Sequence, residues 1–346
     1  MRELSHAARD YLREVRRRGR QRFFTASVNR DGNLKVPLGV FFGAIRHAPW
    51  GCRNRLLRLL LSRPAPPAAR AEVCEINSLV DFESAYPRLA AILGHAGKTP
   101  PPSELEFLQS VGNQPSRYEG RIGISDYLFL TAFVSILAPR RVVEIGTLTG
   151  FSAAMIAAAL QRQHGAERAS WVDTIDIRSQ CLVDEARPTG FEIAELFPEL
   201  VGMIRLHAPH DSKVVKELAK RGEFEMAFID GSHSHPMPLL DVLRLAPYVR
   251  SGSWIVLHDI QLGTLGRKAI EAGQTLRWKA GFGAEWLFEY WPFRKISGGN
   301  IGAVQLPDDK SALIQFAARL MAWPFEISSQ DRVRRELYQS FAELIG

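Results

Sequence analysis

Hydrophobic and polar positions follow two alternating periodicities in the central part of the chain. From about residue 122, short apolar runs alternate with stretches that have the spacing of amphipathic helices. The predicted strands are 141–146, 171–177, 201–206, 225–230, 253–258, Glu285–Trp291 and Asn300–Leu306, and the predicted helices between them are 125–137, 151–163, 190–197, 211–221, 236–247 and 263–273. Alternation at this spacing indicates βαβ units, with parallel strands covered by helices on both faces. The last two strands have no helix between them and should pair antiparallel.

The chain is therefore predicted to be an α/β protein with a doubly wound, mostly parallel, seven-stranded sheet that ends in an antiparallel strand pair. Helices are predicted at 5–20, 53–63, 81–94, 103–111, 311–322 and 330–344. The Pro/Ala-rich stretch that begins at Pro64 suggests the first boundary. We divide the chain into a basic helical arm (1–63), a linker with helical cover (64–121), the sheet domain (122–306) and a C-terminal helical extension (307–346). The final helices could cover the core or form a homodimer interface, and core cover is favoured.

Composition excludes several classes of protein. The 346 residues are 46% hydrophobic and 23% charged, which is ordinary for a globular protein. No apolar run reaches the roughly 18 residues of a membrane-spanning helix. The three cysteines are too few and too widely spaced for a disulfide framework or a cysteine metal site. These features predict a cytoplasmic protein with reduced thiols.

Positive charge is concentrated at the N-terminus. Residues 1–70 contain 16 Lys and Arg against 4 Asp and Glu, whereas the remaining residues contain 28 against 33. The arm could meet an anionic membrane, nucleic acid or an acidic partner, or be a solvated helix without a specific partner. Its leucine-rich segment at 53–63 favours a membrane surface and a peripheral location, while the lack of interleaved aromatic residues disfavours nucleic acid.

A glycine-containing turn follows the first predicted strand of the domain. Gly146 and Gly150 let the backbone turn tightly before a helix N-terminus, which offers free N–H groups. Leu148 stands where a dinucleotide-binding loop needs its second glycine, so pyrophosphate binding is disfavoured. A zwitterionic methionine group fits better, with Glu144 near the amine and Ser152 near the carboxylate.

The stretch RVVEIGTLTGFSAAMIAAAL (141–160) resembles the cofactor loop of class I S-adenosylmethionine-dependent methyltransferases, in particular the catechol and caffeoyl-coenzyme A type O-methyltransferases and their bacterial relatives. The resemblance continues through TIDI, HDS (210–212) and FEMAFIDGSHSHPMPLLDVLRLAPYVRSGSWIVLHDI (224–260), and covers about residues 122–306. It implies S-adenosyl-L-methionine as cofactor, Asp176 on the ribose hydroxyls, and Asp211 with Ser212 at the adenine edge. The implied cofactor-binding residues are Glu144, Gly146, Thr147, Gly150, Ser152, Asp176, Asp211, Ser212 and Asp230.

The residues after the fourth and fifth strands bear on the acceptor of the methyl group. The stretch Asp230-Gly-Ser-His233 replaces the Asn/Asp-Pro-Pro-aromatic segment common in amino-group methyltransferases, and an acid with a histidine suits a hydroxyl acceptor. The resemblance implies Mg²⁺ on Asp230 and Asp259. Ile260 stands where the third ligand is expected, so His258 or His233 would have to replace it, and histidine suits a softer ion or none.

Three residues are the candidate catalytic groups: His233, Asp230 and Asp259. His233 is the preferred base, with His235 and His258 as competitors, and Asp241 in the following helix is expected only to face solvent. The predicted function is O-methylation of a hydroxylated small molecule, sugar or glycolipid. The alternatives are a catalytically altered binding protein whose arm docks membrane or nucleic acid, and an RNA methyltransferase.

Overall fold

The computed structural model describes residues 38–47, 52–53, 56, 59, 67–112, 118, 120–165, 170–276 and 280–345. The strands are β1 (Glu72–Val73), β2 (Arg141–Ile145), β3 (Trp171–Ile175), β4 (Gln180–Cys181), β5 (Asp184–Pro188), β6 (Ile204–His207), β7 (Phe224–Ile229), β8 (Val249–Leu257), β9 (Lys295–Ser297) and β10 (Gly302–Gln305). The helices are α1 (Leu38–His47), α2 (Leu79–Ile92), α3 (Pro102–Gly112), α4 (Ile124–Leu137), α5 (Phe151–His164), α6 (Phe191–Leu196), α7 (Val215–Leu218), α8 (Met237–Leu245), α9 (Leu262–Glu271), α10 (Gly283–Glu289), α11 (Ala312–Leu320) and α12 (Gln330–Ile345). Two 3₁₀ turns span Pro198–Met203 and Ser212–Val214.

Among the described residues, the main sheet has eight strands in the order β1-β9-β10-β8-β7-β2-β3-β6. The five strands from β6 to β8 are parallel neighbours, and β10 runs antiparallel to both β8 and β9. The predicted α/β class and the mostly parallel sheet are confirmed, but the sheet has eight strands and not seven. The antiparallel pair is formed by β9 and β10, with β9 in place of the predicted strand Glu285–Trp291. Because the parallel strands share one direction, the loops that follow β2, β3, β7 and β8 meet at one edge.

Helices cover both faces of this sheet. The apolar residues of β2 alternate between the two cores, with Val143 in one and Val142 in the other. One core contains the inner faces of α8, α10, α11 and α12, and the other contains those of α2, α4 and α5. The central strand β2 is buried along its whole length, as expected for a parallel strand between two helical layers.

Three features of the fold differ from the sequence prediction. The stretch predicted as strand Glu285–Trp291 is largely helix α10, and the strand beside β10 is instead the short β9. Burial around nearly the whole helix removed the polar face that marks an amphipathic helix, since Ala284, Trp286 and Leu287 are all buried. The predicted helix 211–221 is only a 3₁₀ turn and the short α7, and the hairpin β4–β5 was missed.

The eighth strand also comes from outside the predicted sheet domain. β1 lies in the segment predicted as linker and helical cover, and it pairs parallel to β9 through Glu72↔Ile296 and Val73↔Ser297. Two residues are too few to leave a periodic signal in the sequence. The linker segment thus contributes an edge strand.

Parts of the predicted basic arm pack on the C-terminal helices. Val40 of α1 and Leu56 are fully buried in the same core as Leu337 of α12, and Gln315 Nε2 donates to Leu59 O at 2.6 Å. The predicted helix 5–20 and most of 53–63 lie outside the described residues. Within the described ranges, no helix combines the length and apolar character needed to cross a bilayer.

Candidate active site

The turn after β2 passes close to the end of β7. Gly146 has φ +100°, and a Cβ there would lie 2.2 Å from Asp230 O, so only glycine fits this crossing. Its amide donates to Ile175 O at 2.8 Å, while Asp230 N donates to Ile145 O at 2.8 Å. The turn ends at Gly150, φ +91°, where a Cβ would lie 2.6 Å from Ile193 Cγ1. Helix α5 therefore begins at the carboxyl edge of the sheet.

Asp176, directly after β3, holds this turn in place. Its Oδ2 accepts hydrogen bonds from Thr147 N at 3.1 Å and Leu148 N at 3.0 Å, and its Oδ1 accepts from Arg178 N at 2.9 Å. A carboxylate has about four acceptor positions, and Asp176 is only partly buried. It can therefore anchor the turn and still accept a hydrogen bond from a ligand.

Glu144 lies beneath the turn, within β2, and its residue is 0% exposed. Burial raises the pKa of Glu144 to about 8, although hydrogen bonds from Ser152 and Thr174 partly oppose this effect. The Thr174 hydroxyl donates to Glu144 Oε2 at 2.5 Å and lies 2.6 Å from Thr147 Oγ1. The two residues predicted at the methionine group, Glu144 and Ser152, are thus connected to each other under the turn.

Asp211 and Ser212 are engaged with other parts of the protein. Asp211 caps the 3₁₀ turn, with its Oδ1 accepting from Lys213 N at 3.0 Å. Ser212 is buried, donates to Asp241 Oδ1 at 2.5 Å and accepts from Arg244 Nη1 at 2.9 Å. The expectation that Asp241 faces solvent is wrong: it is 5% exposed, and burial raises its pKa to about 6. The 3₁₀ turn Ser212–Val214 lies against α8, where Ser212 reaches Asp241. The predicted helix 211–221 did not indicate this contact.

The opposite part of the edge carries a buried network of acids around His258. His258 Nδ1 lies 2.9 Å from Asp230 Oδ1, and its Nε2 lies 3.1 Å from Asp126 Oδ2. A neutral imidazole can donate through only one nitrogen, whereas imidazolium donates to both carboxylates. Burial lowers the pKa of His258, but Asp230 and Asp126 outweigh it and raise that pKa well above its usual value. His258 is therefore a buried cation that orients Asp230.

Asp259 is positioned by its backbone and by a distant amide. It has φ +59°, a left-handed conformation that aspartate adopts more readily than most residues. Asn300 Nδ2 donates to Asp259 Oδ1 at 2.7 Å, and Asp259 Oδ2 lies 3.2 Å from His233 Nδ1. Asp259 and His233 form a pair in which the carboxylate orients the ring.

Three of the predicted residues come together as a cluster. Donor atoms of Asp230, His233 and Asp259 all lie within 4.8 Å of one another, and each residue is partly exposed. His258 has both ring nitrogens on carboxylates, so of the two predicted third ligands, His233 is the one with a donor atom in this group. We call Asp230, His233 and Asp259 the acceptor cluster.

His235, a competing candidate base, is enclosed instead. It is 1% exposed, with its ring edge-on to Trp286 and Phe325. Its Nε2 lies 3.0 Å from Leu320 O, and burial lowers its pKa to about 3. The side chain of His233 is 32% exposed, so His233 is the histidine of this loop that an acceptor can reach.

Sequence reasoning missed Asp126 and Asn300. Asp126 lies in the first turn of α4, which begins one residue before the predicted helix 125–137 and has Gly123 as its N-cap. The sequence signal for the role of Asp126 is an acid in the first turn of an otherwise apolar helix. A carboxylate that such a helix buries needs a partner inside the protein. Asn300 lies in the turn between β9 and β10, and its misplacement followed from the wrong strand at 285–291.

Residues 143–260 match a family model described as a methyltransferase domain. The matched segment begins in β2 and includes Asp230, His233 and Asp259. About a third of the chain therefore matches the methyltransferase class. The sequence-based recognition of this class is confirmed, as is the prediction that the chain is an enzyme of the methyltransferase type.

Several solved structures are similar to the chain. An O-methyltransferase from Streptomyces achromogenes involved in tomaymycin synthesis is 15% identical, with 65% of this chain and 98% of that chain covered and a TM-score of 0.38. An O-methyltransferase from Bacillus cereus is 19% identical, with 66% and 100% covered and a TM-score of 0.39. A putative caffeoyl-CoA O-methyltransferase from Staphylococcus aureus is 14% identical, with 59% and 99% covered and a TM-score of 0.39. No curated protein matches the sequence.

Proposed function

We propose that this methyltransferase transfers a methyl group from S-adenosyl-L-methionine to a hydroxyl group of a small molecule, sugar or glycolipid. The observation that carries the proposal is the pair of His233 and Asp259, 3.2 Å apart, beside Asp230 at the carboxyl edge of the sheet. A hydroxyl is a poor nucleophile until its proton is removed, and an oriented histidine is suited to this task.

The donor would be held by the turn after β2 and by Asp176. The partly exposed carboxylate of Asp176 suits a pair of ribose hydroxyls, because an ionised carboxylate only accepts hydrogen bonds. The first turn of α5 supplies backbone N–H groups and a helix N-terminus for a carboxylate. The donor supplies an electrophilic methyl group on a sulfonium.

The acceptor cluster would remove the acceptor's proton. Asp259 Oδ2 lies 3.2 Å from His233 Nδ1, and a proton on Nδ1 that faces this carboxylate would leave Nε2 as the basic nitrogen. Nε2 would take the hydroxyl proton as the oxygen attacks the methyl carbon, the carbon–sulfur bond would break, and S-adenosylhomocysteine would leave. The two aspartates would stabilise the imidazolium that forms. Most of the remaining rate enhancement would come from aligning the acceptor oxygen, the methyl carbon and the sulfonium sulfur.

A divalent ion is the second candidate for activating the hydroxyl. Two carboxylates and an imidazole with donor atoms within 4.8 Å fit such an ion, and this mixed set suits Mn²⁺ or Zn²⁺ better than Mg²⁺. Asp230, His233 and Asp259 would hold the ion, which would lower the pKa of a bound hydroxyl.

Donor binding tests the first half of the proposal. S-adenosylhomocysteine should raise the melting temperature of the protein, and NAD should not. Asp176→Ala should weaken the shift, because each hydrogen bond to a charged acceptor contributes about 1.5–3 kcal/mol. A matched control is Asp184→Ala, a partly exposed acid outside the cluster and the turn. Stabilisation by NAD alone would contradict the proposal.

Methyl transfer to a panel of phenols, sugars and glycolipids tests the second half. If activity survives a chelator, His233 acts unaided; if a chelator abolishes activity and Mn²⁺ or Mg²⁺ restores it, the ion is required. Donor binding without transfer to any acceptor would favour the catalytically altered binding protein. Transfer to RNA alone would favour the RNA methyltransferase.

We also propose that the basic N-terminal segment brings the enzyme to an anionic membrane surface. Residues 1–37 contain 10 Lys and Arg against 4 Asp and Glu, and each basic residue near such a surface contributes about 1 kcal/mol. Deleting 1–63 would remove the buried Val40 and Leu56, so deletion of 1–37 is the better variant. It should abolish flotation with phosphatidylserine vesicles and leave donor affinity unchanged. Equal flotation of the wild type and of the variant that lacks residues 1–37 would contradict the proposal.

A further inference from the structure

The loop that carries His233, residues 231–236, is held by segments far beyond it in the chain. Gly283 N donates to His233 O at 2.8 Å. A Cβ on Gly281 would lie 2.3 Å from His233 O, and one on Gly283 would lie 2.7 Å from it. The start of α10 therefore lies directly against the backbone of His233, at a distance that only glycine permits.

Glu326, between α11 and α12, ties these two segments together. Its Oε2 accepts hydrogen bonds from His235 N at 2.7 Å and from Phe282 N at 3.0 Å. Its own backbone N donates to His235 O at 2.8 Å. One carboxylate oxygen thus receives backbone donors from the His233 loop and from the segment packed against it, while the main chain of Glu326 pairs with the same loop.

The side chain of His235 fixes the loop from beneath. Its ring packs against Trp286 of α10 and Phe325, and its Nε2 lies 3.0 Å from Leu320 O of α11. The loop is therefore attached to the C-terminal extension through both its backbone and a buried ring. This extension lies outside the segment 143–260 that matches the family model.

We propose that Glu326 is a positioning residue, which sets the distance of His233 from Asp259 and from the bound acceptor. The proposal rests on the proposed role of His233. Hydrogen bonds to an ionised acceptor are shorter and stronger than neutral ones. Without the carboxylate, two backbone N–H groups lose their acceptor and the loop can shift against α10. A displacement of about 1 Å at a reacting group can reduce the rate about 100-fold.

Two substitutions at Glu326 and one elsewhere test the proposal. Glu326→Ala should lower kcat about 10- to 100-fold with donor affinity unchanged, whereas Glu326→Gln, which keeps an acceptor oxygen, should retain activity within severalfold. Glu104→Ala is the control: Glu104 is 0% exposed, pairs with Arg162 and lies in α3, so its removal should lower stability and leave kcat unchanged. Equal kcat losses in Glu326→Ala and Glu104→Ala would show a merely structural role and overturn the proposal.

A readout without turnover separates this proposal from the proposed function. In ¹⁵N-histidine-labelled protein, the imidazole signals of His233 are assigned by their loss in His233→Gln. Glu326→Ala should shift these signals, and Glu326→Gln should shift them less. If Glu326→Ala does not fold, the same comparison is made between wild type and Glu326→Gln. Unchanged His233 signals would overturn the positioning role even in an active enzyme, while shifted signals in an enzyme without O-methyltransferase activity would overturn only the proposed function.

Discussion

The two halves of the carboxyl edge are held together in different ways. On the donor side, after β2 and β3, the contacts that define the shape are mainly between backbone groups and one carboxylate, as in the bonds from Thr147 N and Leu148 N to Asp176. On the acceptor side, after β7 and β8, the acidic groups are held mainly by other side chains, while the loop that carries His233 is held through its backbone. His258 connects Asp230 to Asp126, and Asp126 lies 132 residues from His258 in sequence.

This difference predicts different responses to substitution. A turn shaped by its backbone depends on glycine at the crossing points and changes little when neighbouring side chains change. A cluster built from side chains loses its geometry when a single donor or acceptor is removed, because the remaining charges rearrange. The acceptor side should therefore show large catalytic effects with intact donor binding, and the donor side should show effects on binding and stability together.

The largest expected effect is on the acceptor side. His233→Ala should lower kcat by about 10²–10⁴-fold, the range typical of a lost general base. The affinity for S-adenosylhomocysteine, measured by calorimetry, should remain as in the wild type, because none of the contacts described for the turn after β2, Glu144 and Asp176 involves His233. The control is His95→Ala, a partly exposed histidine in the turn after α2. Full activity of His233→Ala would remove the distinction between the two sides.

An intermediate effect is expected where the two sides touch. Gly146→Ala places a Cβ 2.2 Å from Asp230 O, at a residue with φ +100°. The backbone strain costs about 1–3 kcal/mol, and the overlap adds a cost of similar size. Thermal melts should show a large loss of stability, and donor binding should weaken.

The control for this substitution is Gly165→Ala. Gly165 has φ +72° with nothing within 4 Å of the added Cβ, so it measures the strain alone. Equal losses of stability in the two variants would show that the contact with Asp230 contributes nothing, and the two sides would then be independent.

The smallest effect concerns pH. Burial raises the pKa of Glu144 from 4.5 to about 8, so between these values the folded protein holds a proton that the unfolded chain has lost. This contribution to stability is full below pH 4.5 and falls as pH rises towards 8. Glu144→Gln should therefore flatten the decline in the free energy of unfolding from pH 5 to 8, measured by urea titration. Thr189→Val, a buried hydroxyl outside this group, should leave the slope unchanged.

Local sequence patterns predicted the turn after β2 and the end of β3 better than the surroundings of the acceptor cluster. Gly146, Gly150 and Asp176 lie at adjacent strand ends within one βαβ unit, and short-range spacing places them correctly. The acceptor cluster was also found, because Asp230 and Asp259 each follow an apolar strand. The residues that hold the cluster in place, Asp126 and Asn300, were not predicted. They reach it through tertiary packing, which leaves no periodic pattern in the sequence.

The errors in the fold have a related cause. Helix α10 was predicted as a strand because its buried aromatic residues resemble the apolar run of a sheet, and only the packing of Trp286 against Trp323 and Phe282 shows why a helix fits there. Likewise, β1 exists because β9 offers a free edge, and a stretch of two residues has no intrinsic tendency to form a strand.

The pairing of β1 with β9 also constrains the order in which the chain can fold. Arg294 Nε donates to Glu72 Oε1 at 3.0 Å across a separation of 222 residues, beside the register pair Glu72↔Ile296. On the ribosome, the segment at 72–73 emerges long before its partner and must wait for it. Because contacts of such high sequence separation form late, the outer edge of the sheet closes only after residue 297 has been synthesised. The segment at 72–73 therefore has no strand partner at this edge until residue 297 has left the exit tunnel.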